Sequence, residues 1–200
     1  CLKTSKRRLA CCTSRPRGAT HARRLRSVCS SGQGVLQDHE EAVRWYRLAA
    51  EQGDAAAQFQ LGESYYEGTG VPQDNQAAAR YYRLAARQRH ADAQCSLGRC
   101  FAEGRGRPHD DDEAVRLYCK AADQGNARAQ RLLAICYSKG QGVPRDDKEA
   151  ARYFRIAADQ SDVDAQFKLG LLLNRGGDGV PQDLAESARY FRLSADQGDV

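Results

Sequence analysis

The sequence predicts an all-α chain, an α/α solenoid (superhelix) of helix–turn–helix repeats about 36 residues long. Three observations predict it. A motif recurs at a nearly fixed step, apolar residues fall at helical spacing within each copy, and glycine and proline punctuate the stretches between. The pair Gly-x-Gly occurs at Gly32/Gly34, Gly68/Gly70, Gly104/Gly106, Gly140/Gly142 and Gly177/Gly179, in steps of 36, 36, 36 and 37. An Asp follows each second glycine by four residues: Asp38, Asp74, Asp110, Asp146 and Asp183.

Each unit reads as two helices. The first carries Leu61 and Tyr65 one turn apart, repeated as Leu97/Phe101, Leu133/Tyr137 and Leu169/Leu173. Beside them Gly62, Gly98, Ala134 and Gly170 keep one position small, as close helix contact requires. The Gly-x-Gly turn, followed by Pro72, Pro108, Pro144 or Pro181, ends that helix. Asp is then the N-cap of the second helix, and Glu41, Glu113, Glu149 and Glu186 three residues later complete a capping-box pattern. Ala42, Tyr46 and Ala49 place one apolar face on it, repeated as Ala78/Tyr82/Ala85 and its equivalents. Gly53, Gly125 and Gly198 stand where the chain must turn left-handed, while Arg89 and Ser161 fill that place at higher conformational cost.

A single hairpin of this kind cannot bury its apolar face, whereas stacked hairpins can. The expected organisation is a basic leader at 1–31, then an array at 32–200. The array comprises a half unit (32–53) and units 54–89, 90–125, 126–161 and 162–198. Asp199-Val200 repeats Asp162-Val163, so the chain is expected to stop inside its array, and the absence of Met suits a fragment or processed chain. Leu25 and Cys29 fall where Leu61 and Tyr65 sit, but Arg26 takes the small position. The leader is therefore either a degenerate first helix or no repeat at all.

The string LGxxYxxGxGVPxDxxxAxxYYxxAAxQG over residues 32–198 resembles the Sel-1-like repeat, a relative of the tetratricopeptide repeat. That resemblance implies a non-catalytic adaptor that holds a protein or peptide in a concave groove. It also implies an alternative, since some cysteine-rich secreted members carry a β-lactamase label. The disulfide of that branch would fall on Ala86 and Ala93, or Ala122 and Ala129, which cannot form it.

Composition narrows the remaining classes. Mean hydropathy is −0.72 and no run approaches eighteen apolar residues, so a spanning helix is excluded. Residues 1–31 hold nine of the 31 Lys/Arg and none of the 26 Asp/Glu, leaving the array acidic by four charges; nucleic acid is not the expected partner of the array. A membrane is reachable only through the leader. Its composition suits a targeting segment, an acylated basic anchor, a linker or sequence outside the reading frame. Four of the eight Cys crowd the first 29 residues, and the sparse remainder points to a reducing intracellular compartment.

No Ser-x-x-Lys, Gly-x-Ser-x-Gly, P-loop or His-Glu-x-x-His pattern occurs, and the four His occupy different repeat positions. No enzyme activity, cofactor or metal site is expected. Cys100 and Cys136 share one repeat position, which suits small buried residues or a bridge between stacked helices. Arg44, Arg80, Arg116, Arg152 and Arg189 form a ladder on the second helices. A phosphate site is one reading, and i, i+3 pairing with Glu41, Glu113, Glu149 and Glu186 is the simpler one.

The expected binding surface is a first-helix stripe opposite the Leu61/Tyr65 core. It comprises Phe59, Glu63, Tyr66 and Glu67, then Asp92, Cys95, Arg99 and Glu103. Arg128, Arg131, Ile135 and Lys139 follow, then Asp164, Phe167, Leu171 and Arg175. Its charges run −2, −1, +3 and 0 from unit to unit. This pattern predicts that an acidic group of the ligand meets Arg128 and Arg131, with Phe167, Leu171 and Ile135 as apolar anchors.

Overall fold

Residues 39–198 are described by a computed structural model, and the leader expectations lie outside them. The described chain is helical: α1 (His39–Glu51), α2 (Ala55–Glu67), α3 (Asn75–Arg87), α4 (Ala91–Glu103), α5 (Asp111–Ala122), α6 (Ala127–Lys139), α7 (Asp147–Asp159), α8 (Val163–Arg175) and α9 (Leu184–Asp196). The first helices of the units are α2, α4, α6 and α8. The second helices are α3, α5, α7 and α9, with α1 before them in the same role.

Caps define every unit. Asp54, His90, Asn126 and Asp162 open the first helices, and Asp74, Asp110, Asp146 and Asp183 open the second. In each case a side-chain atom accepts an otherwise unpaired backbone N–H of the first turn. The capping box is only half formed. The Asp110 amide donates to the Phe101 carbonyl at 3.1 Å, and the Asp74, Asp146 and Asp183 amides likewise reach Tyr65, Tyr137 and Leu173. That donor is already spent on the end of the preceding helix, so the glutamates turn outward to arginine: Glu113 to Arg116, Glu149 to Arg152.

The core forms where first and second helices of one unit meet. Leu61, Leu133 and Leu169 are fully buried, as are Ala78, Ala85, Ala121 and Ala157 on the facing helices. The small position packs against the aromatic eight residues into the second helix: Gly62 on Tyr82, Gly98 on Tyr118, Gly170 on Phe191. Successive units are joined by glutamine. Buried Gln94 donates Nε2–H to the Ala86 carbonyl at 3.2 Å and accepts at Oε1 from Gln124 at 2.6 Å. Gln58/Gln88, Gln130/Gln160 and Gln166/Gln197 repeat the side-chain link.

The 37-residue step has a local cause. Gly176, and not Gly177, takes the capping place of Gly68, Gly104 and Gly140, and the extra residue is absorbed in a turn bridged between Gly177 and Val180. Asp147 clasps that turn. Its fully buried carboxylate accepts the Asp178 amide at 3.1 Å and pairs with Arg145 at 2.9 Å. The Arg145 hydrogen bond holds the Asp147 carboxyl below the usual carboxylate range, against the opposing pull of burial. A depressed native value contributes stability that is complete above the unfolded-state value near 4 and is lost as pH falls through the native one. Asp147→Asn should therefore be less stable than the parent at pH 7, with the gap in unfolding midpoint closing below about pH 4. A gap independent of pH would mean that the charge is not what holds the turn.

Arg89 and Ser161 adopt φ of 63° and 65°, where Gly53, Gly125 and Gly198 sit in other copies. A side chain in this region costs about 1 kcal/mol. Arg89→Gly is expected to raise stability by about that amount in a denaturant titration, and a loss would show that the Arg89 side chain holds the end of α3.

Candidate partner-binding surface

The first helices stand side by side as one layer, linked by polar contacts from unit to unit. Asn126 at the start of α6 donates to Asp92 of α4 at 2.8 Å. Arg131 of α6 lies 3.0 Å from Asp162 and 2.7 Å from Asp164 at the start of α8. The second helices form the other layer, with Arg155 of α7 reaching Glu186 of α9.

Between α2 and α4 the stripe becomes a connected polar cluster. Glu63 accepts from the Tyr82 hydroxyl at 2.5 Å and from Ser96 at 3.2 Å, which ties three helices together. The Tyr66 hydroxyl donates to Glu103 at 3.2 Å and accepts from Arg105 at 2.8 Å, and the Arg99 guanidinium lies 4.4 Å over its ring. Burial, with Glu103 adding to it and Arg99 opposing, raises the Tyr66 phenol above its ordinary value and keeps it a donor. Glu67 is exposed beyond this cluster. Phe59 is half-buried, its ring 5.0 Å from His90, so it belongs to unit–unit packing.

Toward the other end the surface is different. Arg128, Lys139 and Arg175 are exposed, and Ile135 is half-buried against the core of α6–α9. Phe167 and Leu171 stand one turn apart on α8, each 46% exposed, with the Phe167 ring 5.6 Å from Phe191. Three expectations change, the inward packing of Phe59 being the first. Cys95 is buried rather than groove-facing. Arg131 is not a free cation, because Asp162 and Asp164 already match its charge, so the exposed basic charge of α6 reduces to Arg128 and Lys139.

Cys95, Cys100, Cys119 and Cys136 are free thiols, so the bridge between Cys100 and Cys136 is not made. Burial pushes the Cys95, Cys100 and Cys136 thiols up to about 11. Among the described residues no group of three or more His, Cys, Asp or Glu is placed to hold a metal, and no helix is long and apolar enough to cross a membrane. Sequence reasoning did not single out Arg105 and Arg107, which lie between the glycines and the proline of the turn. The signal was available: they replace Thr69/Gln141 and Val71/Val143 of the other units.

These features define a class, an α/α solenoid of stacked two-helix units whose layers present separate surfaces. The Sel1 repeat matches residues 28–54, 55–90, 91–126, 127–162 and 163–199, and the chain belongs to the Sel1 repeat family. It is similar to a Sel1 repeat protein from Oxalobacter formigenes: 36% identity, TM-score 0.79, covering 86% of this chain and 68% of that one. It is also similar to a protective antigen present in uropathogenic Escherichia coli strains that displays an SLR fold. There the identity is 39% and the TM-score 0.76, covering 85% of this chain and 36% of that one. An immunity protein from Pseudomonas aeruginosa shares the fold at 21% identity, with TM-score 0.63, over 92% of this chain and 69% of that one. A search of curated proteins finds no match. Sel1 repeats commonly mediate protein–protein interaction, and the scaffold family is generally non-catalytic.

Proposed function

We propose that this chain is an adaptor that binds an extended or helical segment of a partner protein along its first-helix face. The observation that carries the reading is the exposed pair Phe167 and Leu171 on α8, an apolar step on an otherwise polar helix face. Large apolar side chains that exclude water at the centre of a contact supply most of its energy. Arg128 and Lys139 flank this step on α6 and set the orientation of a ligand carboxylate. In the Glu63–Tyr66–Arg99–Glu103 cluster Glu63 is held by Tyr82 and Ser96 and Tyr66 by Glu103, while the buried Arg99 Nε has no hydrogen-bond partner; the cluster contributes shape and polar specificity.

Both anchors are half exposed and Phe167 also packs on Phe191, so their replacement by Ser should lower the unfolding midpoint modestly while the chain stays folded at the binding temperature. Phe167→Ser/Leu171→Ser is expected to weaken a partner recovered with the parent chain at least tenfold, read by surface plasmon resonance. Undiminished affinity in that double variant places recognition on another face.

A further inference from the structure

The second helices α5, α7 and α9 each carry a glutamate three residues before the ladder arginine, and α3 does not. Glu113 receives both Nε and Nη2 of Arg116, Glu149 does the same for Arg152, and both oxygens of Glu186 accept from Arg155 at 3.2 Å. α3, reading NQAAARYYRLAAR, has no acid at all. Ala77 stands where Glu113, Glu149 and Glu186 stand in later units. Glu113 could serve Arg83 as Glu186 serves Arg155, but Arg116 holds it. Arg80, Arg83 and Arg87 are therefore exposed at i, i+3 and i+7 on one face, and no described carboxylate lies within ion-pairing distance of them.

The repeat shows what lies beside them. Between α7 and α9 is an open cleft of about 520 Å³, lined by Lys148, Arg152, Arg155, Ile156, Val180 and Glu186 among others. The equivalent residues between α3 and α5 are Gln76, Arg80, Arg83, Leu84, Arg107 and Glu113. Arg107 replaces the valine of the other units. Its guanidinium lies 4.9 Å over the Phe101 ring, and its Nε is buried without a hydrogen-bond partner. Burial first, and then the nearby Arg83 charge, press its pKa below the ordinary value against the opposing pull of Cys100 and Glu113, and Glu113 is already held by Arg116. Leu84, 42% exposed, supplies an apolar patch on the same helix.

We infer that the outer surface between α3 and α5, at the repeat position of the α7–α9 cleft, is a second docking site, for an acidic segment of a partner protein whose carboxylates sit on Arg80, Arg83 and Arg107. A carboxylate is the occupant because the same repeat position, Arg155, grips one in this chain. Residues 1–37 of the chain itself cannot supply those carboxylates, since they contain no acid. The site lies on the second-helix layer and does not depend on the first-helix face.

The probe is a fluorescein-labelled ten-residue peptide rich in Glu with one central Leu, titrated with the full chain at low salt and followed by anisotropy. Arg83→Gln/Arg107→Val is expected to weaken binding about tenfold. Arg152→Gln/Arg189→Gln removes the same charge elsewhere and should stay within twofold. Ala77→Glu installs the carboxylate that other units carry, and should lower affinity several-fold at an unchanged melting midpoint. Equal affinities across the variants, or equal losses in both double variants, would assign binding to the general field or the leader and overturn the site. Tighter binding of a single-stranded oligonucleotide of equal charge through the same arginines would overturn the class of occupant.

Discussion

Gly98→Leu is expected to lower stability by about 3 kcal/mol, the upper end of ordinary overpacking. A Cβ at Gly98 alone would lie 2.7 Å from Cε1 and 2.9 Å from Cδ1 of Tyr118, and 3.2 Å from the Ala114 carbonyl oxygen. Tyr118 is 2% exposed and Ala114 is helix backbone, so neither neighbour can give way without parting α4 from α5. The third unit solves the same contact with Ala134 against Phe154, both buried. Gly98→Ala combined with Tyr118→Phe copies that pair, and the double variant should cost less than the two single changes added together. A denaturation midpoint for Gly98→Leu equal to that of the parent would remove the position from the helix contact.

The units, their helices and the core faces were legible because each rests on local chemistry repeated several times. An Asp cap, a glycine turn and apolar spacing need no tertiary information. What escaped was set by partners distant in sequence. The capping box failed because the Asp110 amide goes to Phe101, nine residues back, rather than to Glu113. Asp147 reads as one more first-turn acid, yet it is buried because the inserted residue folds the 176–182 turn over it.

The candidate surface was legible in outline and less so in detail. A helical stripe assigns direction but not depth, and Cys95 and Phe59 are drawn inward by the neighbouring unit. Arg131 was counted as free because its partners, Asp162 and Asp164, belong to the following unit. The outer surface between α3 and α5 shows the converse. Its arginines were set aside on a pairing rule that holds for Arg116 and Arg152 and fails for Arg80, where Ala77 replaces the acid.

The glutamine relay gives the other large effect. Gln94 is 5% exposed and joins the end of α3 to the end of α5, so it couples neighbouring units rather than stabilising one. In a stacked array the interface terms between units decide whether the whole unfolds as one. Gln94→Leu keeps the volume but removes both the donor to Ala86 and the acceptor for Gln124, at a cost of about 2 kcal/mol. Amide exchange should rise first in α2 and α3, on the side cut off from the remaining units. Gln94→Glu should be worse at pH 7, because a buried carboxylate would face the Ala86 carbonyl with no proton to donate. The native-state pKa of the introduced carboxyl is then raised above the unfolded value, so the folded form binds more protons and stability returns as pH falls. Once protonated, that carboxyl can donate to Ala86 and still accept from Gln124, and the two variants should converge or cross toward about pH 5. A Gln94→Glu chain whose deficit does not shrink on acidification would show that the Ala86 carbonyl does not need this donor.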